Sequence, residues 1–314
     1  DRCRAWVDRI VVDPSRLPLP AWIQLRVPSC CRRSAIDLLW SPTNVGPLRC
    51  ARQLATIHDA SPLAHPEWFP RSFALYYRWL WPRLGRRVAR IITDSDFSRR
   101  ELIDHGVAGI DSIDVIPCGI DDHWQPRPLP SSLEGHGVSD GVLVLGAGNP
   151  RKNVGRALDA WRRLDAALRR RHPLIVVGDP STLFRSSERT EEGVVSIREL
   201  DDDGLAALYT HARVLLYPSL YEGFGLPPLE ALACGTPSIV SDGSSLREVC
   251  GEAVRYCDPS DVDSISSALS DELTRPKRVS ETAAGLREHY SWSRSAAKLA
   301  ATIEAVHAEG ENPS

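Results

Sequence analysis

The chain has 314 residues, enough for two ordinary domains, since one hydrophobic core rarely grows much beyond ~250 residues. Lys and Arg number 38 against 41 Asp and Glu, and the net charge of −3 excludes a broad basic field that would draw the protein to nucleic acid. No apolar run reaches the ~18–20 residues of a membrane span and no signal-peptide pattern opens the chain, which leaves a protein that is soluble or at most peripheral at a membrane.

In chain order, the first half offers RIVV (9–12), DLLWSP (37–42), QLATIHD (53–59), RIITDS (90–95) and SIDVIPCG (112–119) as strands, with helices near 21–33, 71–88 and 98–106. These make one α/β domain over 1–125. PRPLPSSLEGHGVSDG (126–141) is rich in Pro, Gly and Ser and has no periodicity, so 126–140 reads as a linker. The second half, 141–290, alternates more regularly. VLVLGAG (142–148), LIVVGD, VVSIRE, VLLYPS, PSIVSD and AVRYCD are short apolar runs of the kind covered on both faces. Between them, NVGRALDAWRRLDAALRRR (153–171) carries Val154, Ala157, Leu158, Trp161, Leu164 and Leu168 at helical spacing and predicts one long helix. DDDGLAALYTHA, PPLEALACG, SSLREVCG and DVDSISSALSDEL are the other helices, several opened by Asp or Ser as N-cap. The fold class is therefore α/β, with two doubly wound parallel sheets facing each other across a cleft, the default ligand site of such a pair.

The eight cysteines (Cys3, Cys30, Cys31, Cys50, Cys118, Cys234, Cys250 and Cys257) form no CxxC pair and no disulfide-like spacing, and read as reduced thiols of a cytoplasmic protein, with any membrane contact at the inner face. The chain opens at Asp1 and contains no methionine, so residue 1 does not read as a native translational start.

GAGNPRKNVG begins like a dinucleotide fingerprint, but the third glycine position holds Arg151 and Gly155 comes too late. NPRKN (149–153) instead follows a strand and opens a helix. Free N–H groups at a helix start, together with Arg151 and Lys152, suit a diphosphate; a solvated basic turn is the plainer alternative. The other dense stretch is YEGFGLPPLEALACG (221–235). After VLLYPS the chain turns through glycines that allow backbone N–H groups to approach a ligand, and Pro227 and Pro228 start a helix. Glu222 falls in the loop at the strand's carboxyl end and Glu230 in the first turns of the helix. Carboxylates only accept hydrogen bonds, so such a pair suits the hydroxyls of a sugar and a ribose, unless Glu230 merely favours its helix start. Asp201 to Asp203 open a helix and read as caps and not as metal ligands.

The run YPSLYEGFGLPPLEALACGTPSIVSD (217–242) resembles the E-x7-E signature of family 4 glycosyltransferases, retaining enzymes of the two-domain GT-B fold. NPRKN resembles that family's donor-phosphate turn, ATIHDASPLAHPEWFP its His-Asp loop, ITDSDFSRREL its first-domain strand and capped helix, and DVIPCGID the segment before the linker. YSWSRSAAKLAATIEAV resembles the terminal helix that crosses back, so 291–314 is assigned to a helix returning to the first domain, with a tail. The likeness spans about residues 36 to 308.

The resemblance implies a nucleotide-diphosphate sugar as donor. Glu222 would contact the sugar hydroxyls with the backbone N–H groups of Phe224, Gly225 and Leu226, and Glu230 would hold the ribose. Arg151 and Lys152 would neutralise the leaving diphosphate on a turn that includes Gly148 and Asn149. His58 would line the sugar pocket from the first domain, where it could equally be a satisfied histidine beside a turn. No cofactor and no metal is expected. HPEWFP most resembles enzymes using GDP-mannose or a related donor, and the acceptor would be a glycan, lipid-linked or small-molecule hydroxyl. Two departures stand out. The family's asparagine before the linker is Cys118 here. The family's opening strand and glycine loop have no counterpart in DRCRAWVDRIVVD, so the first domain looks truncated, and the chain as given is expected to bind donor but transfer poorly unless upstream residues are restored. That departure supports the alternative of a non-catalytic, nucleotide-sugar-binding partner subunit. A phosphorylase would need a pyridoxal-binding lysine site that the sequence does not offer.

Overall fold

The computed structural model describes residues 13, 15–50, 52–134, 137–178, 191–278 and 283–311; the RIVV strand expected at 9–12 lies outside them. After helix α1 (Leu19–Arg33) comes a four-stranded sheet of β1 (Leu39–Ser41), β2 (Gln53–Thr56), β3 (Arg90–Thr93) and β4 (Ile113–Val115), in that spatial order. Every neighbouring pair is parallel, with Leu54 opposite Arg90 and Ile91 opposite Ile113. Side chains alternate across a sheet, so this one has two cores. Ala55, Ile91 and Ile113 meet Leu80, Trp81 and Leu84 of α3 (Arg71–Gly85) and Leu102 of α4 (Asp96–Asp104). A short helix, α2 (Ser61–Ala64), precedes α3.

The second sheet is also all parallel. It comprises β5 (Val142–Ala147), β6 (Leu174–Gly178), β7 (Val194–Ile197), β8 (Val214–Tyr217), β9 (Ser238–Ser241) and β10 (Arg255–Cys257), in the order β10-β9-β8-β5-β6-β7. Val142, Val144, Leu174, Val176, Val214 and Leu216 face one way, onto α5 (Val154–Arg162) and α10 (Val262–Thr274). Leu143, Leu145, Ile175, Leu215 and Tyr217 face the other, onto α7 (Asp202–His211), α8 (Leu226–Ala233) and α9 (Leu246–Cys250). From β5 the chain builds β6 and β7 on one side, then crosses back to lay β8 on the other. Ligands of such sheets bind outside the strands' carboxyl ends where the order reverses, here between β5 and β8.

The long helix expected over 153–171 is two, because α5 stops at Arg162 and α6 (Ala166–Arg171) starts afresh. The Asp165 side chain accepts from the Ala167 N–H at 2.7 Å and caps the new helix. Leu164 and Leu168 still pack on the same core, which is why the apolar spacing runs on through the break.

The chain passes between the domains twice. In the first passage Leu133 and Val138 are buried in the second domain's core, so the stretch is anchored at these two points despite its composition. The second passage, after α11 (Ala283–His289), leads into α12 (Trp292–Glu311). Leu299, Ile303 and Val306 of α12 cover Leu54, Ile92 and Ile116 on the open face of the first sheet. Thr302 Oγ1 donates to Asp114 at 3.2 Å and Arg90 pairs with Glu309 at 2.9 Å. The two passages touch. The Ile120 N–H donates to the Tyr290 carbonyl at 2.8 Å, and a Cβ on Gly119 would stand 2.3 Å from the Trp292 nitrogen. Among the described residues no helix is long and apolar enough to cross a membrane.

Candidate active site

The turn after β5 doubles back sharply. Gly146 has φ +85°, and a Cβ there would lie 2.6 Å from Lys152 Cγ, so the bare backbone is what lets the lysine fold over the strand end. Gly148, at φ +97°, and Asn149 are exposed at the tip, and the Asn149 side chain accepts from the Arg151 N–H at 3.2 Å. NPRKN leads into a helix, as its sequence suggests, with one intervening step. Pro150–Lys152 is a single 3-10 turn, then Asn153 takes a left-handed conformation at φ 56° before α5 begins at Val154. The buried Asn153 amide donates to the carbonyls of Pro218 at 3.0 Å and Pro259 at 2.7 Å, clamping the turn to the loops after β8 and β10. Arg151 and Lys152 are thus held ahead of the helix.

Lys152 Nζ lies 2.7 Å from Glu222 Oε1, donates to the Tyr217 hydroxyl and stands 4.6 Å from the centre of the Tyr217 ring. The Lys152 and Glu222 side chains are 15 % and 5 % exposed, so this ion pair is largely shielded from solvent. Burial lowers the Lys152 ammonium from its ordinary value, with Glu222 opposing the shift. Burial first, then the Glu222 charge, raises the Tyr217 hydroxyl far above the usual range, so it stays a neutral phenol. Glu222, read from the sequence as an acceptor for sugar hydroxyls, is engaged by Lys152 through one oxygen, Oε1.

The loop that carries Glu222 is fixed from both sides. The Ser244 hydroxyl accepts from the Glu222 N–H at 3.2 Å, and Ser245 Oγ donates to the carbonyls of Glu222 at 2.9 Å and Phe224 at 2.8 Å. Gly225, at φ +104°, starts α8, and no hydrogen bond runs from the amides of Phe224, Gly225 and Leu226 to another described residue. Across the cleft, Ser95 and Ser98 of the α4 cap donate to the Gly223 carbonyl at 2.6 and 3.0 Å. A Cβ on Gly223 would meet Asp59 Cβ at 2.7 Å. The Glu248 carboxylate accepts from the Asp96 and Phe97 N–H groups at 2.8 and 3.0 Å, a second contact between the domains.

The first domain contributes His58 and Asp59. His58 Nδ1 is 2.8 Å from Asp94 Oδ2, and its side chain is 44 % exposed while that of Asp94 is 10 % exposed. The Asp94 hydrogen bond raises the imidazole above its ordinary value against the opposing effect of burial, with help from the Pro42 carbonyl and Asp59. Burial foremost, with the nearby Asp94 adding to it, pushes the Cys118 thiol up to about 12. Asp59 reaches Arg151 Nη1 at 3.1 Å. Burial opposes the Arg151 charge, but Glu222 and Asp59 outweigh it and the net shift is upward. Arg151 Nε is buried with no hydrogen-bond partner among the described residues.

Glu230 stands apart from this cluster. Its Oε2 accepts from the Tyr209 hydroxyl at 3.0 Å, and burial pushes its carboxyl up to about 7, with Tyr209 and more weakly Lys152 pulling it down. Asp201 caps α7 through the Gly204 N–H at 2.8 Å, and Asp203 pairs with Arg127 at 2.8 Å. The structure thus brings Arg151, Lys152, Glu222, His58 and the Gly223–Gly225 backbone to one cleft. Sequence reasoning did not single out Asp94, Tyr217, Tyr209 or Ser245. Tyr217, a hydroxyl closing an otherwise apolar strand, was the readable signal among them.

The model for Glycosyltransferase Family 4 matches residues 2–124, and that for Glycosyl transferases group 1 matches residues 139–288. The chain is 35 % identical over 260 residues to O-antigen chain mannosyltransferase B of Escherichia coli, covering 78 % of this chain and 68 % of that protein. It is 31 % identical over 233 residues to the MMP alpha-(1->4)-mannosyltransferase of Mycolicibacterium hassiacum, covering 71 % of this chain and 55 % of that protein. The sucrose-phosphate synthase of Thermosynechococcus elongatus superposes with a TM-score of 0.72 at 17 % identity, over 96 % of this chain and 83 % of that one, a likeness of fold. With both family models matched in order along the two sheets and a mannosyltransferase relative at 35 % identity, the chain belongs to the family 4 glycosyltransferases and has their two-domain GT-B fold.

Proposed function

We propose that the chain moves a hexose from a nucleotide-diphosphate sugar, GDP-mannose or a related donor, to a hydroxyl of a glycan, lipid-linked or small-molecule acceptor with retention of configuration. The observation that carries this reading is Lys152, half-buried between Glu222 and Tyr217 with Arg151 beside it, at the reversal of strand order between β5 and β8. The mannosyltransferase names of the relatives support the choice of sugar.

In this reading the bond between the sugar's anomeric carbon and the diphosphate breaks and leaves its electron pair on the phosphate oxygen. Lys152 and Arg151 meet that growing charge, which stabilises the transition state more than the ground state. The acceptor oxygen bonds to the anomeric carbon on the face the diphosphate leaves, and its proton passes to a phosphate oxygen. Glu222 and the amides of Phe224, Gly225 and Leu226 hold the sugar, Glu230 the ribose, and His58 closes the pocket from the first domain. Arginine and lysine supply the positive charge, so neither metal nor cofactor is required. The protein works in the cytoplasm, peripherally at the inner face of the membrane, with no nucleic-acid partner. The non-catalytic alternative is not favoured, since the relatives are named as transferases.

Thermal shift against a panel of nucleotide sugars tests the donor, because a ligand at ~100 times its Kd adds ~2.7 kcal/mol of stability. Transfer from the stabilising donor, followed by mass spectrometry of the product, tests the reaction. Stabilisation by no nucleotide sugar would sink the proposal.

A further inference from the structure

The loop that leaves β1 breaks the ladder it came from. The Leu39 N–H donates to the Arg52 carbonyl at 3.1 Å, and beyond the strand's end the Asn44 N–H donates to the Thr56 carbonyl at 2.9 Å. Between these bonds one side advances from 39 to 44 and the other from 52 to 56, so Asn44 comes one residue late, as at a bulge. Asn44 has φ 59°, a left-handed conformation that asparagine tolerates better than most residues because its short polar side chain can bond locally. That side chain stands in for the main-chain carbonyl the ladder would have supplied. Asn44 Oδ1 accepts from the His58 N–H at 2.9 Å, two residues past the end of β2.

The turn is locked from behind. Trp81 of α3, 1 % exposed, donates through Nε1 to the Asn44 carbonyl at 2.8 Å. Gln24 of α1 holds the residues that follow, donating to the Gly46 carbonyl and accepting from the Leu48 N–H, both at 2.9 Å. A Cβ on Gly46 would stand 2.1 Å from Gln53 Nε2, so the loop packs closely on the start of β2. His58 is thus gripped from two sides. At the end of β3, Thr93 Oγ1 donates to the His58 carbonyl at 3.4 Å and Asp94 engages the ring Nδ1 at 2.8 Å. From the β1 side, Asn44 takes the N–H and the Pro42 carbonyl faces the ring.

We propose that Asn44 is a positioning residue of the transfer reaction: its side chain sets where His58 stands in the cleft, and the ring meets the donor sugar only while Asn44 holds the backbone beneath it. Asn44 acts through His58 and not on the donor. The inference rests on the sugar-pocket role proposed above for His58, but the placement of the ring is readable without turnover.

The test uses the full chain. Asn44→Gly keeps the left-handed backbone and removes the acceptor, Asn44→Asp keeps an acceptor oxygen, and Ala35→Gly alters another left-handed position, at φ 48°, outside the cleft. The groups that face the His58 ring are Asp94, the Pro42 carbonyl and Asp59, itself paired with Arg151, and Asp94 is the main cause of the upward shift. In histidine-labelled NMR, Asn44→Gly should therefore bring the His58 titration down as the ring leaves Asp94, and Ala35→Gly should leave it in place. With the donor found by thermal shift, Asn44→Gly should lower kcat by roughly tenfold to a hundredfold, the order of loss for about 1 Å of misplacement. Binding of the nucleoside diphosphate, which carries no sugar, should be unchanged. Asn44→Asp should restore most of the rate, and in a His58→Ala background Asn44→Gly should cost nothing further. An unmoved His58 titration in Asn44→Gly, a loss that adds to that of His58→Ala, or no rescue by Asn44→Asp would each overturn the proposal. Normal transfer by His58→Ala would overturn the sugar-pocket reading on which it rests, and is told apart by a His58 titration that still moves in Asn44→Gly.

Discussion

Arg151 Nη1 of the second domain lies 3.1 Å from Asp59 Oδ2 of the first. The guanidinium proposed to meet the donor's diphosphate is therefore already matched by a carboxylate of the opposite domain, and a diphosphate has to share or displace it. Asp59→Asn should tighten binding of a nucleoside diphosphate by roughly threefold to tenfold, within the range of ion pairs of intermediate exposure. It should also slow transfer, because the cleft loses a contact between its walls. Calorimetry and a transfer assay check the two halves, and weaker binding by the variant would show that Asp59 assists the diphosphate.

Lys152→Ala is expected to lower kcat by roughly 10²–10³ with a smaller change in donor KM, since the charge it meets grows on the way to the transition state. The same change leaves Glu222 buried without its partner, which costs about 3–5 kcal/mol where a buried pair is broken from one side. Kinetics measured well below the variant's melting temperature separate the two effects. A variant with only a raised donor KM contradicts the assigned role.

Glu230 gives a pH dependence of defined sign. The fold raises its carboxyl from 4.5 to about 7, chiefly by burial, so between those values the folded chain holds a proton that the unfolded chain has lost. The group's contribution to stability is largest below the lower value, falls as pH rises through that window and is flat above it. Glu230→Gln should remove this slope and be more stable than wild type by about 2–3 kcal/mol at alkaline pH. Ribose hydroxyls need an acceptor, so nucleoside diphosphate binding should tighten as pH rises through about 7 and should release a proton. Calorimetry in buffers of different ionisation heat reads that proton directly; uptake, or an affinity flat over this range, would remove Glu230 from the ribose site.

Asp94→Asn should lower the His58 titration, because the carboxylate at 2.8 Å is the main cause of its upward shift. The stabilisation from a protonated His58 is complete below its unfolded value and is lost as pH rises through the folded one, so the variant should lose it at lower pH than wild type. Histidine-labelled NMR and the pH profile of kcat follow the shift. An unmoved titration would mean that Asp59 and the Pro42 carbonyl hold the ring instead.

Much of this was legible beforehand. The strands of the second sheet stand out as short apolar runs, of which β8 and β9 are buried on both faces, and VLLYPSLYEGFG places Glu222 in the loop at a strand's carboxyl end. What escaped has physical causes. The break between α5 and α6 is invisible to periodicity, because Leu164 and Leu168 bury on the same layer whether or not the helix is continuous. Proline and glycine around Leu133 and Val138 suggest free chain, yet two apolar side chains are enough to anchor it. Asp94, Tyr217 and Ser245 act through partners distant in sequence, and such pairings leave no mark on local composition. Glu222 was placed correctly, but that its charge is matched by Lys152, 70 positions away, is a fact of three dimensions.

The covering of the first sheet by α12 bears on how the molecule is assembled. Thr302 and Asp114 are 188 positions apart, so the strands that hold Leu54, Ile92 and Ile116 leave the ribosome well before the helix that shields them. Until then one side of that sheet is bare, and the second domain, whose two cores draw mainly on neighbouring sequence, is free to settle earlier. The domain translated first is thus the one completed later, and its unfinished face is a hydrophobic surface that nascent-chain chaperones would meet throughout synthesis of the other half.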